Sequence, residues 1–344
     1  MSTDLSYRAT AATTSTWSED LVTALLGTFL VGGVYLDGWA HLHKPGLETF
    51  FTPWHGVLYG GFLALAAWLV AVPARRRQVP AGYGLGLAGV GAFLAGGLGD
   101  MIWHVIFGIE VGLDALLSPT HLVLLVGGIL MLTTPLRATA ASPRTARPAR
   151  GATLPAVLAL AATAALAAFF LMYLSVFADA AAAIAPTSIP EGAPGHREAE
   201  NFTIVGLGEY LTTSVLLVIA TLYGYRILQR LPAGLIAAVV AAVAAGGAVI
   251  TEFANPAALL GAVLGGVAAD AAVHTLAARV PQMTSVAVGA VLPALVWPGH
   301  LAGLALGTRV AWSVELWAGV VVVTAMAGAV IALLAPASTP AARS

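Results

Sequence analysis

Residues 35–55 read YLDGWAHLHKPGLETFFTPWH, and they close one apolar segment and open the next. Asp37 and His41 stand four positions apart at the end of the first segment, and His55 stands at the start of the second. A spacing of four places two side chains on one face of a helix, one turn apart. Thr52 followed by Pro53 is a helix-start signature, with threonine as N-cap and proline at the first helical position. The stretch therefore reads as the connection of a helical hairpin, with a carboxylate and two imidazoles gathered where the helices meet.

The arrangement returns at residues 100–121, DMIWHVIFGIEVGLDALLSPTH. Asp100 and His104 follow Asp37 and His41 at an offset of 63 positions, and His121 follows His55 at 66. Ser118 and Pro119 repeat the N-cap and proline. A His or Asp near a helix end often does no more than face water. Two copies in one register favour a site.

Working outward, the chain has 344 residues, 59% hydrophobic and 9% charged, against about a quarter charged in soluble domains. Mean hydropathy is +0.90. Apolar runs of about 20 residues, each enough to cross roughly 30 Å of hydrocarbon, recur throughout. The reading is an all-α, polytopic integral membrane protein with about ten transmembrane helices and the lipid bilayer as its main partner. The expected spans are 20–41, 53–73, 82–107, 118–135, 153–177, 202–227, 232–252, 257–278, 284–306 and 311–335. A net charge of −1 excludes nucleic acid as an expected partner. The absence of cysteine excludes disulfides, iron–sulfur clusters and thiolate copper sites. Six scattered methionines argue against a thioether Cu(I) pathway.

The expected divisions are a polar cytoplasmic tail (1–18), a four-helix part carrying both hairpins (19–135), a basic cytoplasmic linker (136–152), a six-helix part (153–335) and a C-terminal tail (336–344). No cleavable signal peptide is expected, because the first 18 residues lack an apolar core. Arg75–Arg77, Arg137, Arg144, Arg147, Arg150, Arg226, Arg230 and Arg279 all follow even-numbered spans. Positive residues mark cytoplasmic loops, so both termini are expected in the cytoplasm of a cell-membrane protein. Spans one and three then run the same way, and the hairpins are parallel repeats with their Asp and His residues at the outer face.

One carboxylate and two imidazoles from adjacent helix ends make a three-donor set with coordination positions left open, as a catalytic metal needs. Imidazole with carboxylate suits Cu(II), Zn(II), Fe(II) or Mn(II), and the spacing does not choose among them. Each triad would hold one metal, or both would build one dinuclear site.

The run DGWAH followed by FTPWH resembles the C subunit of particulate methane monooxygenase and its ammonia monooxygenase relatives. In that family an Asp-x-x-x-His and a later His in this context bind copper. The resemblance covers about 20 residues and implies copper at Asp37, His41 and His55. The second copy, Asp100, His104 and His121, shares the ligand pattern without the Gly and the Phe-Thr. The implied function is a copper-dependent, monooxygenase-like oxidoreductase acting on a small apolar substrate. No haem or flavin motif is visible, so a separate electron donor is an expected partner, as is a second copy of the chain in a homo-oligomer.

Ionisable groups in apolar runs are functional candidates by default. His43, Glu48, Glu209, Glu252, His300 and Glu315 are candidates for orienting the ligand imidazoles from outside. Asp270 and His274 form a third Asp-x-x-x-His in the inner half of their span and are candidates for a proton relay. Trp39, Trp54, Trp103, Trp297, Trp312 and Trp317 read as an interfacial belt. Two other functions compete. A zinc-dependent membrane hydrolase would use a metal-bound water, although no His-x-x-x-His pair is present. A transporter or metal-handling protein would fit the many spans, although the polar groups gather on one side.

Overall fold

The computed structural model describes residues 13–44, 52–108, 112–142, 151–185 and 189–335. Among them the regular structure is helical: α1 (Trp17–His43), α2 (Pro53–Arg76), α3 (Gly84–Phe107), α4 (Leu113–Leu117), α5 (Pro119–Leu132), α6 (Thr134–Ala141), α7 (Leu154–Phe170), α8 (Ala181–Ile184), α9 (His196–Leu228), α10 (Leu235–Ile250), α11 (Pro256–Arg279), α12 (Thr284–Gly307) and α13 (Val314–Leu334). Eight helical segments are long and apolar enough to cross a membrane, α5 and α6 counting as one. The protein is an all-α, multi-pass membrane protein.

α7 and α10 have 17 and 16 residues. At about 1.5 Å per residue each spans roughly 25 Å, short of a bilayer core. They lie at the centre of the bundle, covered by neighbouring helices. One face of α7, including Ala156, Leu160 and Ala164, belongs to a core shared with α9 to α13. Its other face, with Ala162, Leu166 and Phe169, belongs to the core of the first six helices. A helix apolar all round is one buried all round. The two expected parts therefore share α7 as a common wall. The Tyr35 hydroxyl ties α1 to it, donating to Ala165 O at 2.8 Å.

The hairpins pack as pairs, α1 on α2 and α3 on α5. A Cβ at Gly33 would lie 2.9 Å from Leu58 Cα, and one at Gly61 would lie 2.9 Å from Leu30 Cα. Gly96 meets the backbone of Leu124 and Gly127 that of Phe93, at the same offsets of 63 and 66. Small residues allow this close approach where apolar burial gives no net drive between helices.

The end of the bundle away from the triads is sealed by polar contacts. Arg76 grips Glu19 through Nε and Nη2 at 2.8 and 2.6 Å. Tyr83 OH donates to Asp20 Oδ1 at 3.0 Å. Arg137 donates to Gly82 O at 3.1 Å and Leu130 O at 2.7 Å. The helix thus runs on through α6 into the expected linker, because Leu136 and Ala138 are buried and the guanidinium finds carbonyls. α9 likewise begins at His196, ahead of the expected span start at 202. Arg144, Arg147, Arg150, residues 1–12 of the expected N-terminal tail and the expected C-terminal tail after residue 335 lie outside the described residues, and α1 begins within the rest of the N-terminal tail, at Trp17. Two tryptophans depart from the expected belt. Trp297 and Trp312 are buried, and Trp297 Nε1 donates to Ser214 Oγ at 2.8 Å.

A candidate metal centre in one cavity

Asp37 and His41 occupy successive turns at the C-terminal end of α1, and His55 lies in the first turn of α2. Thr52 caps α2, its Oγ1 accepting from His55 N at 3.1 Å and lying 3.1 Å from His55 Nδ1. Asp37 Oδ2 is 3.8 Å from His41 Nε2, and Asp37 Oδ1 is 3.1 Å from His55 Nδ1. One ligand atom from each residue lies within 4.8 Å of the others, the one such set among the described residues. Metal bonds of about 2.0–2.2 Å place donors on one ion roughly 3–4 Å apart, so the set needs only a small closing of side chains to hold a single ion. Asp37 Oδ1 is buried, and despite its closeness to His55 it has no hydrogen bond of good geometry. A buried carboxylate oxygen without a hydrogen bond is costly unless something else pairs with it.

The second triad repeats the layout with a difference. Asp100, 1% exposed, lies 3.4 Å from His104 Nε2 and 3.3 Å from His121 Nδ1. Ser118 Oγ lies 2.7 Å from His121 Nδ1, as Thr52 stands beside His55. Here, however, Thr120 Oγ1 donates to Asp100 Oδ1 at 3.0 Å. The counterpart of Thr120 in the first hairpin is Trp54. His104 Nδ1 lies 3.2 Å from Gly108 O, a contact that fixes the ring's orientation.

All six residues line one cavity of about 130 Å³. Its other wall is apolar, built by Phe93, Leu124, Leu166, Phe169 and Met172, with Tyr173 at one side. Tyr59 also lines it and stacks on His55, ring centroids 6.2 Å apart at 19°. The sequence reading missed Tyr59, although its place four residues after His55 puts both on one helix face. Phe169 and Tyr173, from a segment far along the chain, carry no such signal.

The remaining candidates among the described residues do not line this cavity. His43 is exposed, stacks on Trp39 at 5.7 Å and lies 3.0 Å from Trp39 O. Glu252 accepts from Trp39 Nε1 at 3.2 Å and so reaches α1 without reaching a triad. Glu48 lies outside the described residues. His300, 2% exposed, sits 3.0 Å from Tyr210 OH in the other core. Glu209 is buried on the same helix as Tyr210, and Glu315 is exposed at the start of α13. Asp270 accepts from Gly234 N at 2.9 Å and Ile236 N at 3.0 Å, which closes the start of α10. His274 lies 2.7 Å from Asp270 O and 3.3 Å from Leu231 O. Asp270 thus caps α10, and His274 Nδ1 also lies 3.4 Å from Asp270 Oδ2. Asp270→Ala is expected to destabilise the protein by about 1–3 kcal/mol, the cost of leaving buried amides unmet. A lowered melting midpoint in detergent with unchanged metal content checks this.

No known protein family, curated protein or solved structure matches the chain. Fold and site together define its class: a multi-pass helical membrane protein with an Asp/His/His group suited to a metal ion.

Proposed function

We propose that this chain is a membrane metalloprotein whose two Asp/His/His triads each hold a metal ion in a shared cavity, copper by preference, as the core of a monooxygenase-like oxidoreductase. One observation carries the reading. Two imidazoles stand beside the Asp37 carboxylate, whose buried Oδ1 has no hydrogen bond of good geometry. The resemblance of the first motif to copper-binding sequences favours copper over zinc or iron. Copper, when bound, supplies one-electron redox chemistry.

The chain's own residues do the rest. Asp37 and Asp100 supply the anionic donors, and His41, His55, His104 and His121 supply neutral ones. Thr52 and Ser118 hold the His55 and His121 rings in orientation, an outer-partner role that supports ligand affinity. Phe93, Leu166 and Phe169 keep the opposite wall dry and suit a small apolar molecule. No cysteine, and so no iron–sulfur cluster, is encoded, and electrons would come from a separate donor protein. In the membrane, α7 and α10 join the eight longer helices as the ninth and tenth spans. The hairpins are parallel repeats, the triads face outward and both termini are cytoplasmic, as the arginine distribution favours.

Metal content of the purified protein tests the reading. Wild type loaded with copper is expected to hold one ion for each triad, and His41→Ala and His104→Ala are each expected to lose one. Zinc retained in place of copper would move the function to a hydrolase. A protein that takes up neither metal overturns the metal site and leaves transport.

A further inference from the structure

α2 and α3 follow one another in the chain and carry members of different triads, yet they touch over only a short stretch. Two α2 side chains reach across. Phe62 stacks on Phe93 with centroids 4.7 Å apart, and Tyr59 packs on Gly97. A Cβ at Gly97 would fall 3.0 Å from Tyr59 Cε1 and 3.1 Å from its hydroxyl oxygen, tighter than ordinary contact. Gly97 therefore makes room for this ring. It stands three residues, close to one turn, before Asp100. The same ring lies nearly parallel to the His55 imidazole. Tyr59 thus touches a ligand of the first triad and the helical turn beside the carboxylate of the second.

The contact also breaks the repeat. At the offsets of 66 and 63, the counterpart of Tyr59 is Leu125 and that of Gly97 is Val34. A tyrosine facing a glycine occurs in one direction, from the first hairpin to the second. Helix packing within each hairpin is duplicated, so it builds each triad without setting the distance between them. That distance depends on what lies between the hairpins, namely their common packing on α7 and the contacts between α2 and α3, and Tyr59 makes the α2–α3 contact that lies inside the cavity.

We propose that Tyr59 is a positioning residue that sets the separation of the two triads, its ring acting as the spacer between His55 on α2 and the Asp100 turn of α3. This rests on the two-site reading above. The closest contact to Gly97 is made by the ring carbon Cε1, with the hydroxyl beside it, so Phe keeps the ring contact and Leu does not. Leu occupies the equivalent position in the second hairpin, so it suits the helix itself.

Copper(II) serves as the spin probe. The full-length protein, Tyr59→Phe, Tyr59→Leu and Gly97→Ala are loaded with copper, counted by mass spectrometry and read by electron paramagnetic resonance. Wild type and Tyr59→Phe are expected to show one copper per triad and a dipolar interaction between the two ions. Tyr59→Leu is expected to keep both coppers and to lose or shift that interaction. Gly97→Ala, which pushes the ring from the other side, is expected to shift it as well. Both coppers with an unchanged interaction in Tyr59→Leu overturns the spacer role alone. Loss of copper from Tyr59→Leu also overturns it, because the ring would then hold ligands in place rather than set their separation. One copper or none in wild type overturns the two-site reading together with the inference.

Discussion

Replacing Asp37 with Asn is expected to abolish metal retention by the first triad while the fold survives. Asn keeps the shape of the side chain and removes the anionic donor, which is the group within 3.1 and 3.8 Å of the two imidazoles. Loss of an outer hydrogen-bond partner alone weakens a metal site about 10–100-fold, and loss of a coordinating carboxylate should exceed that. The fold should tolerate the change, because Asp37 Oδ1 makes no hydrogen bond that Asn would lose. Asp100→Asn should differ. Asp100 Oδ1 accepts from Thr120, so an amide placed there with its nitrogen toward Thr120 forfeits that bond. Its variant should lose metal and also some thermal stability. His43→Ala is the internal control: an exposed ring stacked on Trp39, outside the cavity, whose removal leaves metal content unchanged. Competition titration of copper against a chelator, with a melting curve for each variant, checks all three. Equal affinity in Asp37→Asn and wild type would remove Asp37 from the ligand set.

Gly261→Ala is expected to destabilise the bundle more than any cavity substitution. α11 and α12 meet backbone to backbone, and a Cβ at Gly261 would lie 2.0 Å from Gly299 O. The reciprocal contact, from a Cβ at Gly299 to Gly261 O, would be 2.2 Å. Gly265 against Leu295 and Gly303 against Ala257 extend the same seam. An obstructing side chain can rotate away, but a carbonyl inside a helix cannot, so the helices must separate along their length. Ordinary overpacking costs about 1–3 kcal/mol, and a backbone clash in the middle of a seam should reach or pass the top of that range. Gly319→Ala in α13 supplies the contrast. A Cβ there meets nothing within 4 Å, so this change should be neutral or stabilising by about 0.5–1 kcal/mol through helix propensity. Thermal unfolding in detergent, followed by size-exclusion chromatography, reads both. A Gly261→Ala protein with the wild-type midpoint would show that the helices are not held this closely.

Much of this was legible in the chain itself. Composition and the recurring apolar runs determined an all-α membrane protein, since only helices with internally satisfied backbones suit such segments. The spacing of Asp37 and His41, and the caps Thr52 and Ser118, determined each triad. Helix geometry relates residues one turn apart, and a short connection brings His55 and His121 back to them.

Other properties had no local signature. The sharing of one cavity by both triads depends on how α2 meets α3. Its apolar wall depends on α7, whose Leu166 and Phe169 follow His121 only after a separate connection and most of that helix. The asymmetry between Asp37 and Asp100 turns on Thr120, whose counterpart Trp54 offers no hydroxyl. Glu209 and His300 share the outer side with the triads in the sequence reading, but His300 packs against Tyr210 in the other core, on the helix that also carries Glu209. Asp270 and His274 share the triad spacing, but Asp270 caps α10 and neither residue lines the cavity. What lies within one hairpin follows from helix period and connection length, which are local. What lies between hairpins follows from which helix faces meet, and only the packed bundle decides that.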